Sequence, residues 1–570
     1  MSSFHPDLPP SYRTPARSPG RSEWLLLGLL CLGTALYWSV QYHPFLVPNN
    51  DYYSFERVAK AFGSGELPRS FKRAPIFPLL MAGLAPAMPE PHPELHAALV
   101  LNMAFSIGAL VLLFRLAARL LGAGALLVPV LFATTAQFHV MGLQPLVEPS
   151  LGFFCVATIV LFQARSPWQY AAAAAAALSR LEAATLIPIL FLLNARADHR
   201  FWRHAALGAL ASIPLLAWTA VGAARGSGAS SYLDLMKGMG WASAPGFLAS
   251  CYREPFAGWF AGGGALVVPF VVLAVLPTLA GIAVGLREFR REAIAMLAFL
   301  GLSAAVVVLF GINKARYVYP TEWTLLFFFA AGALHLLETG FRRLVPRLAS
   351  RAGLPLLLAS VALWLAVLGL WLRHMGGLPH VGPFAADLLY LALALGLVLI
   401  QLRRIRRQRL WWAACCLCMA LLTPVVAGGI ASKQLRLFEI HYANYSSYLL
   451  APWLEANLGP RDRVVLLHPT HIRHMTGLAP GRFEKFQKMR AGDAAELAEE
   501  MREEGLTHVA YSYRDRAKTP IAGFHYRRKK VRLAEEFRDG GEIAGFEHLA
   551  TLPLPEMLDQ DPVQVYRVLP

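Results

Sequence analysis

Charge is scarce in this chain of 570 residues. Only 16% are Asp, Glu, Lys or Arg, where a soluble domain carries about a quarter. Acids are scarcer than bases, 36 against 53, which leaves a formal net charge of +17. Cysteine is also sparse, with six in the whole chain, and these do not suggest a disulfide framework. Cys31, Cys155 and the group Cys415, Cys416 and Cys418 lie inside apolar runs and read as small core hydrophobes. A soluble, charge-rich or disulfide-stapled protein is therefore excluded.

What fills the space is apolar sequence, 56% of all residues, in runs of about the twenty residues that cross a bilayer. The expected spans are 24–42, 97–120, 124–140, 146–163, 168–178, 181–194, 203–222, 264–286, 292–311, 318–338, 353–373, 384–402 and 410–431. The pair over 168–194 is short for two crossings and breaks near Ser179 and Arg180. Arg13, Arg17 and Arg21 precede the first run, WLLLGLLCLGTALYWSV, but no small-x-small cleavage site follows it. It reads as an uncleaved first helix behind a cytoplasmic tail, residues 1–23. Alternate loops then carry the arginine: RLAARLLG, NARADHRFWRH, LREFRRE, FRRLVPRLASR and QLRRIRRQR. The positive-inside rule places these in the cytoplasm. About thirteen spans put the C-terminus outside the inner (plasma) membrane.

Past Ser432 the texture changes. RDRVVLLHP, THVAYSY, FEHLATLPL and VQVYRVLP read as strands, and AAELAEEMREEG as an amphipathic helix ending at Gly505. That alternation implies a small α/β domain over 432–570 on the extracytoplasmic side. Acids and bases nearly balance there, so the positive excess belongs to the membrane part, residues 24–431. Topology and contact with anionic membrane lipids account for it, and nucleic acid is not an expected partner. The basic run YRRKKVR, Tyr526 to Arg532, is a phosphate contact or a solvated loop.

On this topology ionisable residues gather at one face. The first outer loop, 43–96, contains NNDYYSFERVAKAF and then FKRAPIFPLL, which together suggest two surface helices. Tyr53, Val58, Ala61 and Phe62 form the expected membrane-facing side of the first. Glu148 opens the fourth span, Arg180 and Glu182 sit at the turn between the fifth and sixth, and Lys314, Arg316 and Tyr317 precede the tenth. Ionisable groups at span ends are costly unless paired or used.

The order of these elements resembles the GT-C class of membrane glycosyltransferases. The residues that carry the likeness are Asp51 soon after span one, APIFPLL, Glu148-Pro149-Ser150, SRLEA and ARYVYP. They are similar to the branch with protein O-mannosyltransferases and lipid A aminoarabinose transferases, and cover roughly residues 20–340. SRLEA lacks the proline of the related TRPEG turn, and Asp51 is followed by tyrosines where a second acid is usual. The resemblance implies a GT-C-like polytopic α-helical protein. It would move a sugar from a polyprenyl-phosphate donor to a lipid, glycan or protein acceptor, with inversion.

Under that reading Asp51 is the general base, although Asn50-Asp51 before an amphipathic run also suits a helix cap. Arg316, with Lys72 and Arg73, would neutralise the leaving phosphate, the alternative being snorkelling at span ends. Glu148 would orient a hydroxyl, assist Asp51 or help to hold a divalent cation. Arg180 pairs with Glu182 or reaches the same pocket. His139 beside a single carboxylate is too few ligands to define a metal site, so the cofactor stays open. Tyr52, Tyr53, Trp241, Trp259 and Trp323 are stacking platforms or, as the plainer expectation, an interfacial aromatic belt. The rival classes are a polytopic transporter or flippase of lipid-linked sugars, a ligase using a diphosphate-linked donor, and an anchored binding protein. No repeat supports the first, no long late loop the second, and thirteen spans exceed what the third needs.

Overall fold

The computed structural model describes residues 19–41, 51–90, 92–225, 267–309, 315–317, 319–348, 353–405, 409–442, 445–466, 469–511, 533, 536–538, 540–553 and 562–570. Lys314, Trp241, Trp259 and the run Tyr526 to Arg532 lie outside them. The chain divides into two compact units, Met1–His43 with Ser54–Arg436, and Pro44–Tyr53 with Leu437–Pro570.

The first unit is helical. In chain order its helices are α1 (Arg21–Gln41), α2 (Tyr52–Gly63, whose first two residues belong to the second unit), α3 (Ile76–Leu84), α4 (Pro93–Leu121), α5 (Leu127–Ala133) and α6 (Ala136–Gly142). Next come α7 (Glu148–Gln163), α8 (Trp168–Ser179), α9 (Leu186–Asp198), α10 (Phe201–Ala224), α11 (Val267–Glu288) and α12 (Arg290–Leu309). The last are α13 (Tyr319–Leu348), α14 (Gly353–Gly376), α15 (Phe384–Ile405) and α16 (Arg409–Tyr442, which from Leu437 on belongs to the second unit). Among the described residues, seven helices are long and apolar enough to cross a membrane.

Three expectations need correction. The span expected over 124–140 is two short helices, α5 and α6. Thr135, in extended conformation, caps α6 by accepting from the Phe138 N–H at 3.2 Å. A β-branched hydroxyl residue that can bond the backbone of a new turn competes with continuing the old one. Gly429 of α16 packs against that break, where a Cβ would overlap the Thr134 carbonyl oxygen. The second correction concerns aromatics. Trp323 is fully buried, its indole N–H donating to the Pro320 carbonyl at 2.8 Å, and Tyr52 and Tyr53 are buried as well. None of the three belongs to an exposed belt. The side of α2 that is covered is also broader than expected, comprising Tyr52, Tyr53, Phe55, Glu56, Val58 and Ala59, while Ala61 and Phe62 are only partly covered.

The second unit holds α17 (Tyr445–Asn457), α18 (Pro469–Met475), α19 (Ala494–Glu503) and five strands: β1 (Val464–Leu466), β2 (Phe483–Lys485), β3 (His508–Tyr511), β4 (Phe546–Leu552) and β5 (Val563–Val568). The strand order is β2-β1-β3-β5-β4, with β1 parallel to β2 and β3, and β5 antiparallel to β3 and β4. Strand side chains alternate between faces. Val465, Val509, Tyr511 and Tyr566 therefore join Leu497 and Met501 of α19. Val464, Leu466, Ala510 and Val565 join Leu450, Leu454 and Ile472 from α17 and α18. Helices cover both faces of one mixed sheet.

Helices α11 and α13 cross at two glycines. A Cβ on Gly281 would overlap the Phe328 carbonyl oxygen, and one on Gly332 the Pro277 carbonyl oxygen. Small residues let apolar helices approach to backbone contact, and here the obstacle to a larger side chain is backbone that cannot rotate away. Gly332→Ala is expected to destabilise the detergent-solubilised protein by about 1–3 kcal/mol, read as a lower melting temperature. Gly301→Ala, in α12 with no heavy atom within 4 Å of the added Cβ, is expected to be neutral or slightly stabilising in the same assay.

Candidate active site

The pattern of ionisable residues at helix ends becomes a cluster in three dimensions. Glu148 stands at the start of α7, where the helix dipole favours an acid and the missing N–H of Pro149 costs nothing. The loop before it is pinned from α4, since Asn102 Nδ2 donates to the Leu146 carbonyl at 2.8 Å and to that of Gln144. Arg180 is a single extended residue (φ −154°, ψ 140°) between α8 and the 3₁₀ turn Leu181–Thr185. That break swings its side chain out of the helix end.

The geometry that results is a neutral knot. Arg180 Nη1 lies 3.0 Å from Glu148 Oε1, and its Nε lies 2.5 Å from Glu182 Oε1. Arg316 Nε lies 3.7 Å from the same Glu148 oxygen. Both guanidinium groups sit against Tyr317, Arg180 at 4.3 Å and Arg316 at 5.1 Å from the ring centroid. Arg316 Nη2 also donates to the Tyr317 hydroxyl at 3.3 Å. The Glu148 side chain is only 2% exposed, and its Oε2 has no hydrogen-bond partner among the described residues. Two cations and two carboxylates thus meet in a mostly desolvated corner, with one carboxylate oxygen left to accept from a bound group. Glu322, in the first turn of α13, is a further fully buried acid that sequence reading passed over.

Five expected residues, Glu148, Arg180, Glu182, Arg316 and Tyr317, are therefore brought together. Arg73 is engaged elsewhere in the first unit, donating from Nε to Ser54 Oγ at 2.6 Å with its guanidinium 4.8 Å from the Phe55 ring centroid. Lys72 beside it is exposed. Asp51, the turn residue before α2, belongs to the second unit. There the Tyr53 hydroxyl is 2.8 Å from His471 Nδ1, and the rings of Tyr52 and Tyr53 meet His474 edge-on. The loop expected to carry the base thus begins packed on α18, through two histidines that the sequence did not single out.

His139 is fully buried, and its Nδ1 accepts the Trp38 indole N–H at 3.0 Å. Among the described residues no group of three or more His, Cys, Asp or Glu gathers as a metal site.

A second charged cluster escaped the sequence entirely. Asp387 in α15 and Lys433 in α16 are both fully buried and paired at 3.0 Å. Tyr37 of α1 donates to Asp387 and accepts from Lys433. Gln434 Nε2 donates to the other Asp387 oxygen at 2.5 Å, and His380 Nδ1 lies 3.3 Å from it. The network fastens α1, α15 and α16 together. The available signal was a charge inside an apolar run, but nothing in the sequence pairs residues on different helices. Lys433→Met, which strands a buried carboxylate, is expected to destabilise by about 3–5 kcal/mol. The double variant Asp387→Leu/Lys433→Met is expected to recover most of that loss in the same denaturation experiment.

No family model matches the sequence, and no curated protein matches it. Among solved structures, ArnT from Cupriavidus metallidurans bound to undecaprenyl phosphate is similar with a TM-score of 0.53 at 15% identity, over 96% of this chain and 98% of that one. Apo ArnT from the same organism gives a TM-score of 0.50 at 15% identity over the same shares. ArnT is a lipid A aminoarabinose transferase of the GT-C class. The likeness read from Asp51, APIFPLL, Glu148, SRLEA and ARYVYP holds at the level of fold: this chain has the GT-C fold.

Proposed function

We propose that this chain is an integral membrane glycosyltransferase of the inner (plasma) membrane that transfers a sugar from a polyprenyl-phosphate donor to a lipid, glycan or protein acceptor. The observation that carries the reading is the buried Glu148–Arg180–Glu182–Arg316 cluster on a fold shared, end to end, with a structure that holds undecaprenyl phosphate. With the N-terminus in the cytoplasm, the cluster and the C-terminal α/β unit face outward.

The chemistry needs three things. The acceptor hydroxyl must lose its proton to a carboxylate as its oxygen attacks the anomeric carbon, and Asp51 is the base. The bond from that carbon to the phosphate oxygen breaks with its electrons on oxygen, inverting the anomeric centre in one displacement. The leaving lipid phosphate then needs positive charge in a site of low dielectric, where fixed charges act strongly. Arg316 serves this role, with Arg180 beside it. Guanidinium groups suit the task because their donor fork matches phosphate oxygens. Glu148, holding both arginines through Oε1 with Oε2 left over, sets their orientation and accepts from a sugar hydroxyl. Lys72 and Arg73, on the segment leading into α3, complete the phosphate contacts. A divalent cation, if the reaction uses one, would draw on the Glu148 carboxylate.

The test is donor cleavage by the purified full-length protein. Polyprenyl-phosphate sugars are supplied in turn with candidate acceptors, with and without a chelator, and free polyprenyl phosphate is measured. Wild type is expected to turn over one donor. Asp51→Asn is expected to lose a factor of about 10²–10⁴, and Arg316→Gln about 10²–10³. Undiminished turnover in Asp51→Asn would remove Asp51 as base and leave it a helix cap. Movement of a lipid-linked sugar across vesicles without cleavage would instead establish the transporter reading.

A further inference from the structure

Helices α7, α8, α9 and α12 all have the active-site cluster at or just beyond one end, through Glu148, Arg180, Glu182 and Arg316. At their other ends these helices enclose a second polar site. Helix α7 alone, at 16 residues, separates the two by about 24 Å. The second site is a cavity of about 70 Å³ whose lining includes Arg165, Gln169, Asn194, Arg203, His204 and Arg291. That volume holds several waters, since one needs roughly 10–15 Å³ measured this way, and so it can accommodate a tetrahedral oxyanion.

The floor of the cavity is built from buried polar side chains. Gln169, Asn194 and His204 are each at most 5% exposed. Asn194 donates to Gln169 Oε1 at 3.2 Å and accepts from Arg291 Nη2 at 2.5 Å. The Arg291 guanidinium stands 4.1 Å from the Phe162 ring centroid, and its Nε is closed off from solvent with no hydrogen-bond partner among the described residues. His204 Nε2 and Asp198 Oδ2 are 2.8 Å apart, so the one lining acid is committed to histidine. Arg165, Arg203 and Arg291 make no ion pair with a carboxylate among the described residues. Three guanidinium groups on separate elements thus converge on one space that a single carboxylate, Asp198, also lines.

Two further observations bear on what the cavity binds. The only described non-glycine residues with positive φ are Arg165 (53°) and His199 (57°), in the two loops that border the cavity. Left-handed positions that end helices favour glycine, so side chains are held here against backbone preference. Trp168, Phe201 and Trp202 are 70%, 50% and 81% exposed on the adjoining first turns of α8 and α10. Exposed tryptophans of this kind mark the headgroup level of a bilayer.

We propose that this cavity binds the phosphate group of an anionic lipid headgroup, at the membrane face opposite the active-site cluster. On the orientation proposed above, that face is the cytoplasmic leaflet; the binding site itself does not depend on the transferase reading. Arg165 and Arg203 gather the phosphate oxygens at the rim, and the Arg291 guanidinium adds its positive charge from the floor. Basic pockets between transmembrane helices at this face suit phosphate headgroups in general.

The experiment uses the full-length protein in phosphatidylcholine nanodiscs with and without phosphatidylglycerol, and separately inorganic phosphate added in detergent. Retained phospholipid is read by native mass spectrometry and stability by thermal shift. Wild type is expected to retain phosphatidylglycerol and to melt higher with it. Arg165→Gln/Arg203→Gln, both exposed positions that folding tolerates, is expected to lose about tenfold or more in retention, as is Arg291→Gln. Arg119→Gln, an exposed arginine outside the cavity, should retain the lipid as wild type does. Equal loss in Arg119→Gln and the double variant would reduce the effect to diffuse surface charge and overturn the site. A response to inorganic phosphate with none to phosphatidylglycerol would keep the phosphate chemistry and overturn the lipid as its source. No retention above phosphatidylcholine and no phosphate response would overturn the proposal whole.

Discussion

A charge that enters the apolar bundle of the first unit is costly unless it meets its opposite there, because the surroundings supply almost no dielectric screening and no water to share the cost. Two neutral knots satisfy this. In one, Arg180 and Arg316 are balanced by Glu148 and Glu182; in the other, Lys433 is balanced by Asp387. Much of the local irregularity follows from them. The extended residue at Arg180 interrupts what would otherwise be a continuous apolar helix, and so lets a guanidinium reach Glu148. Tyr37, the middle of the Lys433–Tyr37–Asp387 chain, holds the end of α1 just before the chain leaves for the second unit.

The two knots differ in what they leave over. Around Asp387, both carboxylate oxygens are taken, by Tyr37, Lys433 and Gln434, which suits a structural fastening. Around Glu148 one oxygen is used and the other is not. Its arginines are also held partly by a tyrosine ring, a contact that an incoming phosphate does not need to break. A site that must bind, release and bind again is better served by such incomplete satisfaction than by a closed network. The basic cavity at the far ends of the same helices carries this further, with three arginines and one lining acid already engaged by histidine.

Legibility in the sequence followed the range of the interaction. Glu148, Arg180, Glu182, Arg316 and Tyr317 could be nominated together because each is an ionisable or polar residue at the end of an apolar run, and run ends on one side of a bilayer share a depth. The strands Val464–Leu466 and His508–Tyr511 and the helix Ala494–Glu503 declared themselves by period. The three-residue strand Phe483–Lys485 is too short to show a period and exists only by pairing with β1. The break at Thr134–Thr135 was hidden because its residues are nearly as apolar as a span requires, and it depends on Gly429 packing from a helix almost three hundred positions later.

The sequence by itself determined that this protein is helical and apolar, where most helices begin and end, and which charged residues share a side. Those properties are local: they rest on hydropathy over some twenty residues and on the positive-inside rule. Only the tertiary structure decided that Asp387 meets Lys433, that Tyr53 meets His471, and that Arg165, Arg203 and Arg291 face one cavity. The physical reason is that a buried polar group accepts whichever partner the packing delivers, and packing brings together helices whose separation in sequence carries no signal of their contact.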